Sequence, residues 1–198
     1  MIYPSNYMVF DFETTGLDPE KDKVLEIGAI HFVNGIERAR FECLIDWEQD
    51  IPKEIIDITK ITNELIKEKG IKAPEALERF AAFIAESGDT VYVGHNIYKF
   101  DIPFLIKLCD LSEDFQAQLA NTFVDTAAHF KGNAIKMERH FNEPYVQWVD
   151  RVMNTRAYGV KFNVAHCCEV LGIVNDQGQH RAMSDVLLTN EIYKKLCL

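Results

Sequence analysis

The chain has 198 residues, 47% of them hydrophobic and 26% charged, and its 31 acidic against 21 basic side chains give a formal net charge of −10. That length and composition describe an ordinary globular protein of one sizeable domain, expected to span residues 1–198, and the chain is short for two. There is no apolar run long enough for a transmembrane helix, and the acidity argues against a large nonspecific nucleic-acid-binding surface. A cleft that handles a few nucleotides over bound cations remains open, because cations invert the local sign of a carboxylate site.

The start of the chain lacks the basic and long apolar regions of a signal peptide, which predicts a cytoplasmic protein. The cysteines are Cys43, Cys109, Cys167, Cys168 and Cys197. Their odd number and the absence of a C-x-x-C spacing argue against a disulfide scaffold and a structural zinc site, and predict buried thiols.

Tyr7 to Phe12 reads as a buried strand, bounded by Thr14-Thr15-Gly16. Val24 to Val33 and Ile36 to Ile45 are two more strands. Asn34-Gly35 between them is a strong hairpin turn, so the chain opens with an antiparallel meander. Thr62 caps a helix through Lys69. Pro74 begins another, with Leu77, Phe80, Ala81 and Ile84 as its buried stripe and Gly88 as its stop. Thr90 to Val93 is a short strand, followed by Gly94-His95-Asn96 and a helix from about Lys99 to Cys109. Thr122 to Val124 is the fifth strand, and Asp125-Thr126 opens a helical turn. Asn163 caps a helix to Leu171, and Ala182 to Cys197 is the last helix. Gly132 to Tyr158 shows no clean period. A meander followed by alternating helices and strands predicts one α/β domain with a five-stranded mixed sheet flanked by helices.

Asp11 and Glu13 alternate along the first strand, so both project from one side. Two acids on one face repel, and a divalent cation between them is the usual remedy. Asp101 falls in the first turn of a helix that follows a strand, where sites form in such sheets. Asp185 sits near the start of the last helix with His180 just upstream. Neutral imidazole is available near pH 7, so His180 is the natural general base.

Three motifs stand in order: Asp11-Phe-Glu13-Thr-Thr-Gly16, then His95-Asn96 with Phe100-Asp101, then His180-Arg-Ala-Met-Ser-Asp185. Together with Ile58-Thr-Lys-Ile-Thr62 and Val124-Asp125-Thr126 they resemble the DEDDh exonucleases. This 3′–5′ exonuclease family includes the proofreading epsilon subunit of bacterial DNA polymerase III. The resemblance implies a ribonuclease H-like fold. It implies that Asp11, Glu13, Asp101 and Asp185 hold two divalent cations, Mg²⁺ or Mn²⁺, and that His180 activates a water. It assigns Thr14, Thr15, Gly16 and Leu17 to the turn that meets the terminal nucleotide, with Leu17 wedging against its base, and puts Asn96 and Phe100 on the substrate side.

The activity so implied is release of nucleoside 5′-monophosphates from the 3′ end of nucleic acid, with single-stranded DNA favoured and a polymerase partner in trans. The alternatives are an RNA-trimming or oligoribonuclease-type exonuclease, a polymerase-associated subunit without catalysis, or a hydrolase of small nucleotides. A last helix running almost to Leu198 leaves no tail to dock a polymerase, which argues against the subunit reading.

The chain departs from the family where Gly159-Val-Lys-Phe-Asn163 replaces a Lys-His-Ser-Leu-like lead, after a stretch longer than is typical. From Lys131 to Lys161 that stretch is locally basic, with Lys136, Arg139, Arg151 and Arg156 among its cations. It reads either as a solvated face or, more sharply, as arginines and aromatics that guide a single strand. Of the remaining histidines, His95 lies beside the site; His31, His129, His140 and His166 read as structural.

Overall fold

The computed structural model describes residues 4–109, 111, 113–119, 122–175 and 181–197. In chain order the elements are β1 (Asn6–Thr14), β2 (Val24–Val33), β3 (Ile36–Asp46), α1 (Lys53–Thr59), α2 (Asn63–Lys69), β4 (Ile71–Lys72), α3 (Ala73–Ser87), β5 (Val91–Gly94), α4 (Asp101–Leu108), α5 (Glu113–Leu119), β6 (Phe123–Asp125), α6 (Thr126–Ala134), α7 (Tyr145–Asn154), α8 (Val164–Leu171) and α9 (Ala182–Cys197). The sheet order is β4-β3-β2-β1-β5-β6. β1 and β3 run antiparallel to β2, whereas β5 is parallel to β1 and β6 parallel to β5. The mixed sheet flanked by helices is as expected, with six strands in place of five. The sixth is β4, which pairs only Ile71 and Lys72 with the end of β3, too short for an alternating pattern to show in sequence.

Local chemistry explains most boundaries. Asn34 and Gly35 have φ of 53° and 73°, the left-handed pair that a tight two-residue hairpin requires. The Thr62 hydroxyl accepts from Leu65 N at 3.1 Å, and the Asn163 side chain accepts from His166 N at 2.9 Å, each closing the first turn of its helix. On α3 the stripe is rotated from the one expected. Ala73, Ala76, Phe80 and Ile84 are buried while Ala81 is exposed, because Ala73 and Ala76 face β3 and β4.

β1 is buried on both faces, as a central strand must be. Met8, Phe10 and Phe12 point into one core with Phe80, Tyr92, Phe123 and Trp148. Tyr7 and Val9 point into a second core, where Val186 and Tyr193 of α9 meet Ile30 and Phe32 of β2. Asp11 and Glu13 continue the Tyr7–Val9 side of the strand. They therefore emerge on the α9 face, at the end of β1 where that apolar core stops.

α1, α5 and α7 were not expected. α7 occupies the stretch that showed no clean period, yet Tyr145, Trp148, Val149 and Val152 stand at helical spacing and the last three are buried. Among the described residues no helix is long and apolar enough to cross a membrane.

Candidate active site

Asp11 and Glu13 from β1 meet Asp185 from the first turn of α9, and one oxygen of each lies within 4.8 Å of the others. The strand next door determines how close α9 can come. Gly28 of β2 stands opposite Asp11, and a Cβ there would lie 2.7 Å from the Ala182 carbonyl carbon and 2.8 Å from Met183 N. Only a residue without a side chain admits the helix at that distance. Two residues earlier, Glu26 stands opposite Glu13 and is fully buried. Its carboxylate accepts from Arg181 Nε at 3.0 Å and Nη2 at 2.6 Å, and from Ala182 N at 3.0 Å. Glu26 thus closes the N-terminus of α9 and fixes the turn that carries Asp185. Sequence reasoning missed Glu26. The available signal was a charged residue two positions before a glycine in the otherwise apolar run Val24-Leu-Glu-Ile-Gly28.

The other predicted acid, Asp101, is 2% exposed in the first turn of α4. Its Oδ1 accepts from Phe12 N at 3.0 Å, which ties α4 to the backbone between Asp11 and Glu13. Asp101 is outside the group of three whose oxygens converge, but close enough to push the Asp11 carboxyl upward. Asp125 is fully buried at the α6 N-cap and accepts from Asn96 N, Tyr98 N and Ala128 N at 3.1 to 3.3 Å. It holds the turn after β5 in place, including Asn96 in the left-handed region at φ 63°.

Burial and mutual repulsion dominate the electrostatics. Burial, then Asp185 and Glu26, push Glu13 up to about 8, with Arg181 opposing. Asp11 is raised well above the carboxylate range by burial and then by Asp101, Asp185 and Glu13. Burial also raises Asp101, against the hydrogen bond from Phe12. Three hard oxygen donors that cannot comfortably ionise together fit a divalent cation, whose charge removes the repulsion.

The acids open into a cleft of about 660 Å³ whose lining includes His95, Asn96, Lys161 and Phe162. His95 Nε2 lies 2.6 Å from Phe162 O and Nδ1 lies 2.9 Å from the Thr126 hydroxyl. A carbonyl only accepts, so Nε2 carries the proton; burial pushes the ring down to about 4 and keeps it neutral.

The turn after β1 is internally braced. Thr14 Oγ1 donates to Gly16 O at 2.5 Å, Thr15 Oγ1 to Asp22 Oδ1 at 3.2 Å, and Asp18 N to Asp22 Oδ2 at 2.9 Å. A Cβ on Gly16 would meet the Asp22 carboxylate at 2.3 Å, which accounts for the glycine. The turn leaves Leu17 83% exposed. Asn96 lines the cleft, whereas Phe100 packs on Phe104 with ring centres 5.2 Å apart. His180 lies outside the described residues, as does the side chain of Cys197. Cys43, Cys109, Cys167 and Cys168 are free thiols, three of them buried and Cys109 partly so.

Residues 8–193 match the profile of the Exonuclease (RNase_T) family. The chain belongs to this family. Among curated relatives, a PolC-type DNA polymerase III of Clostridium perfringens is 30% identical over 97% of the chain, which covers 11% of that polymerase. The PolC-type polymerase of Mycoplasma genitalium is 38% identical over 51% of the chain and 7% of its own length. The chain thus spans about a tenth or less of these relatives. Among solved structures, Escherichia coli exonuclease I in complex with a dA16 oligonucleotide superposes with a TM-score of 0.75 at 19% identity, over 97% of this chain and 40% of that one. Its zinc-bound form in a single-stranded DNA complex superposes with a TM-score of 0.76 at 18% identity, over 97% of this chain and 40% of that one. At that identity the likeness shows the shared fold. The resemblance to DEDDh exonucleases holds at the level of family and fold, with PolC-type polymerases as the relatives found.

Proposed function

We propose that this exonuclease-family chain is a single catalytic domain, residues 1–198, that hydrolyses the phosphodiester bond at the 3′ end of a strand and releases nucleoside 5′-monophosphates. The observation that carries this reading is the convergence of Asp11, Glu13 and Asp185 oxygens within 4.8 Å in the lining of a cleft. Asp11, Glu13 and Asp185 would hold the cations, with Asp101, bonded to Phe12 N, completing the set of four. Two divalent cations, Mg²⁺ or Mn²⁺, bound there would supply the acidity of the attacking water and the charge that offsets the leaving 3′-oxygen.

The chain's own residues do the rest. His180 takes the proton of the attacking water. Arg181 and Glu26 hold the backbone on one side of His180. The braced Thr14–Leu17 turn receives the terminal nucleotide, and the exposed Leu17 side chain packs against its base. Asn96 contributes from the cleft wall, and Phe100 supports that wall through Phe104.

DNA is the favoured substrate, supported by the PolC-type relatives and by the oligonucleotides bound to exonuclease I in the superposed structures. The same relatives support work alongside a polymerase, which we propose acts in trans. The test is a 5′-labelled strand incubated with Mg²⁺ or Mn²⁺, in matched single-stranded DNA, RNA and duplex forms. A ladder receding from the 3′ end, fastest for single-stranded DNA and absent in Asp11→Asn and His180→Ala, is the expected result. No ladder with wild-type protein overturns the proposal.

A further inference from the structure

The side of the cleft that faces the acids is built by the chain between α7 and α8. Lys161, Phe162 and Asn163 line the same cavity as Asp11, Glu13 and Asp185. This loop is fastened at both ends. At its start, Thr155 Oγ1 donates to Arg151 O at 2.8 Å, and Lys131 Nζ donates to Met153 O at 3.0 Å. At its end, the Phe162 carbonyl meets His95 Nε2 and the Phe162 ring lies 4.9 Å from the Lys131 ammonium.

Between the anchors the polar side chains face outward. Arg156 and Lys161 are exposed, and Tyr158 is 84% exposed. The Arg156 guanidinium lies 5.7 Å from the Tyr158 ring centre and its Nη1 is 3.2 Å from the phenol oxygen. Among the described residues, neither Arg156 nor Lys161 has a carboxylate within ion-pair distance. Arg151 differs: Glu143 holds it through two 2.7 Å contacts, and it donates to Glu138 O at 3.0 Å. Of the six cations in the basic stretch, Arg151 and the buried Lys131 are therefore committed to the fold, while Arg156 and Lys161 of this loop face water.

We propose that residues 155–162 form a wall that binds the single strand as it leaves the acid cluster: Arg156 and Lys161 contact its phosphates and Tyr158 stacks an unpaired base. The proposal rests on the exonuclease reading and adds the surface that holds the strand. A chain of net charge −10 needs locally unpaired cations to retain a polyanion; here Lys161 lines the cavity that holds the acids, and Arg156 is exposed on the same loop five residues earlier. A guanidinium beside an exposed ring is also a sequence-tolerant platform for a base, since every base has a π-face. Stacked duplex bases offer no such face, so the wall selects unpaired strands.

The test is fluorescence anisotropy of 5′-labelled dT16 in EDTA, where no turnover occurs, over a series of KCl concentrations. Arg156→Ala and Lys161→Ala are each expected to weaken binding several-fold and to lower the slope of log K against log salt by about 0.7. Tyr158→Ala is expected to weaken binding roughly 10-fold with little change in slope, and Tyr158→Trp to restore it. Arg156→Lys keeps the slope and guards against a folding artefact. The proposal is overturned if all three alanine variants bind with wild-type affinity and slope, or if wild-type protein prefers a duplex of equal length. Failure of the exonuclease reading is a separate result, since it shows as a wild-type protein that does not shorten the labelled strand in Mg²⁺ or Mn²⁺.

Discussion

The two sides of the cleft are held by opposite devices. On the floor, Asp11, Glu13 and Asp185 are like charges forced together by a sheet and a docked helix, and burial raises Asp11 and Glu13 far above the ordinary carboxylate range. On the wall, Lys161 lines the cavity and Arg156 and Tyr158 ride on the same loop, whose anchors are uncharged or buried; all three are exposed, and neither cation has an opposing acid among the described residues. The floor's geometry costs stability until a cation arrives, whereas the wall's costs little. Under the proposed function, the first region depends on rigid placement and the second on availability.

The largest effects belong to the floor. Asp185→Asn is expected to lower metal-dependent nucleotide release by more than the roughly 100-fold that loss of a supporting residue costs, while raising the melting temperature of the metal-free protein by removing a like charge. A variant that loses activity and stability together would break the claim that the floor is strained. Glu26→Gln keeps the shape beneath α9 but removes the charge that binds Arg181. Calorimetric titration with Mn²⁺ is expected to show metal affinity about 10- to 100-fold weaker. Unchanged affinity would mean that α9 is positioned by packing alone.

Truncating the aromatic core under α7, the helix that leads into the wall, is mainly a stability experiment. Trp148 packs on His129 and Tyr145, and its Nε1 donates to Met137 O at 3.0 Å. Trp148→Ala is expected to cost about 3–5 kcal/mol by urea denaturation. A smaller effect falls on pH. Without a cation, Glu13 holds its proton up to about 8, so the folded state binds protons that the unfolded chain has released. Stability of the metal-free protein is therefore highest below the ordinary Glu range and falls as pH rises through about 8. Melting temperatures between pH 5 and pH 9 check this, and saturating Mn²⁺ is expected to flatten the slope. Smallest is Arg151→Ala, which is expected to lower the melting temperature while leaving the salt dependence of strand binding unchanged, the reverse of Arg156→Ala.

The floor was largely legible in sequence because strand periodicity is rigid. Asp11 and Glu13 share a face by alternation, and Tyr7 and Val9 on that same face run into the core that docks α9. Asp185 follows from a helix start that Ala182-Met-Ser-Asp already suggests. Glu26 escaped because its role depends on cross-strand register and on the approach of a helix 155 residues away, neither of which is a local pattern. Asp101 is the converse. Its motif puts it with the other acids, but the structure shows its Oδ1 tied to Phe12 N and outside the group of three whose oxygens converge. The wall was least legible. α7 hid within a stretch crowded with polar residues, although its buried stripe has helical spacing. Arg151 and Arg156 look alike in sequence, and only their partners, Glu143 for one and Tyr158 for the other, separate a structural arginine from a free one.

The central claim is that the three converging carboxylates form a cation site that drives hydrolysis from the 3′ end. Its most direct test is digestion of a 5′-labelled single strand by wild-type protein and Asp185→Asn, with and without Mn²⁺, both shown to be folded. The account predicts a 3′-receding ladder of products only for wild-type protein with metal. A ladder of equal rate from Asp185→Asn, or from wild-type protein in EDTA, would contradict it.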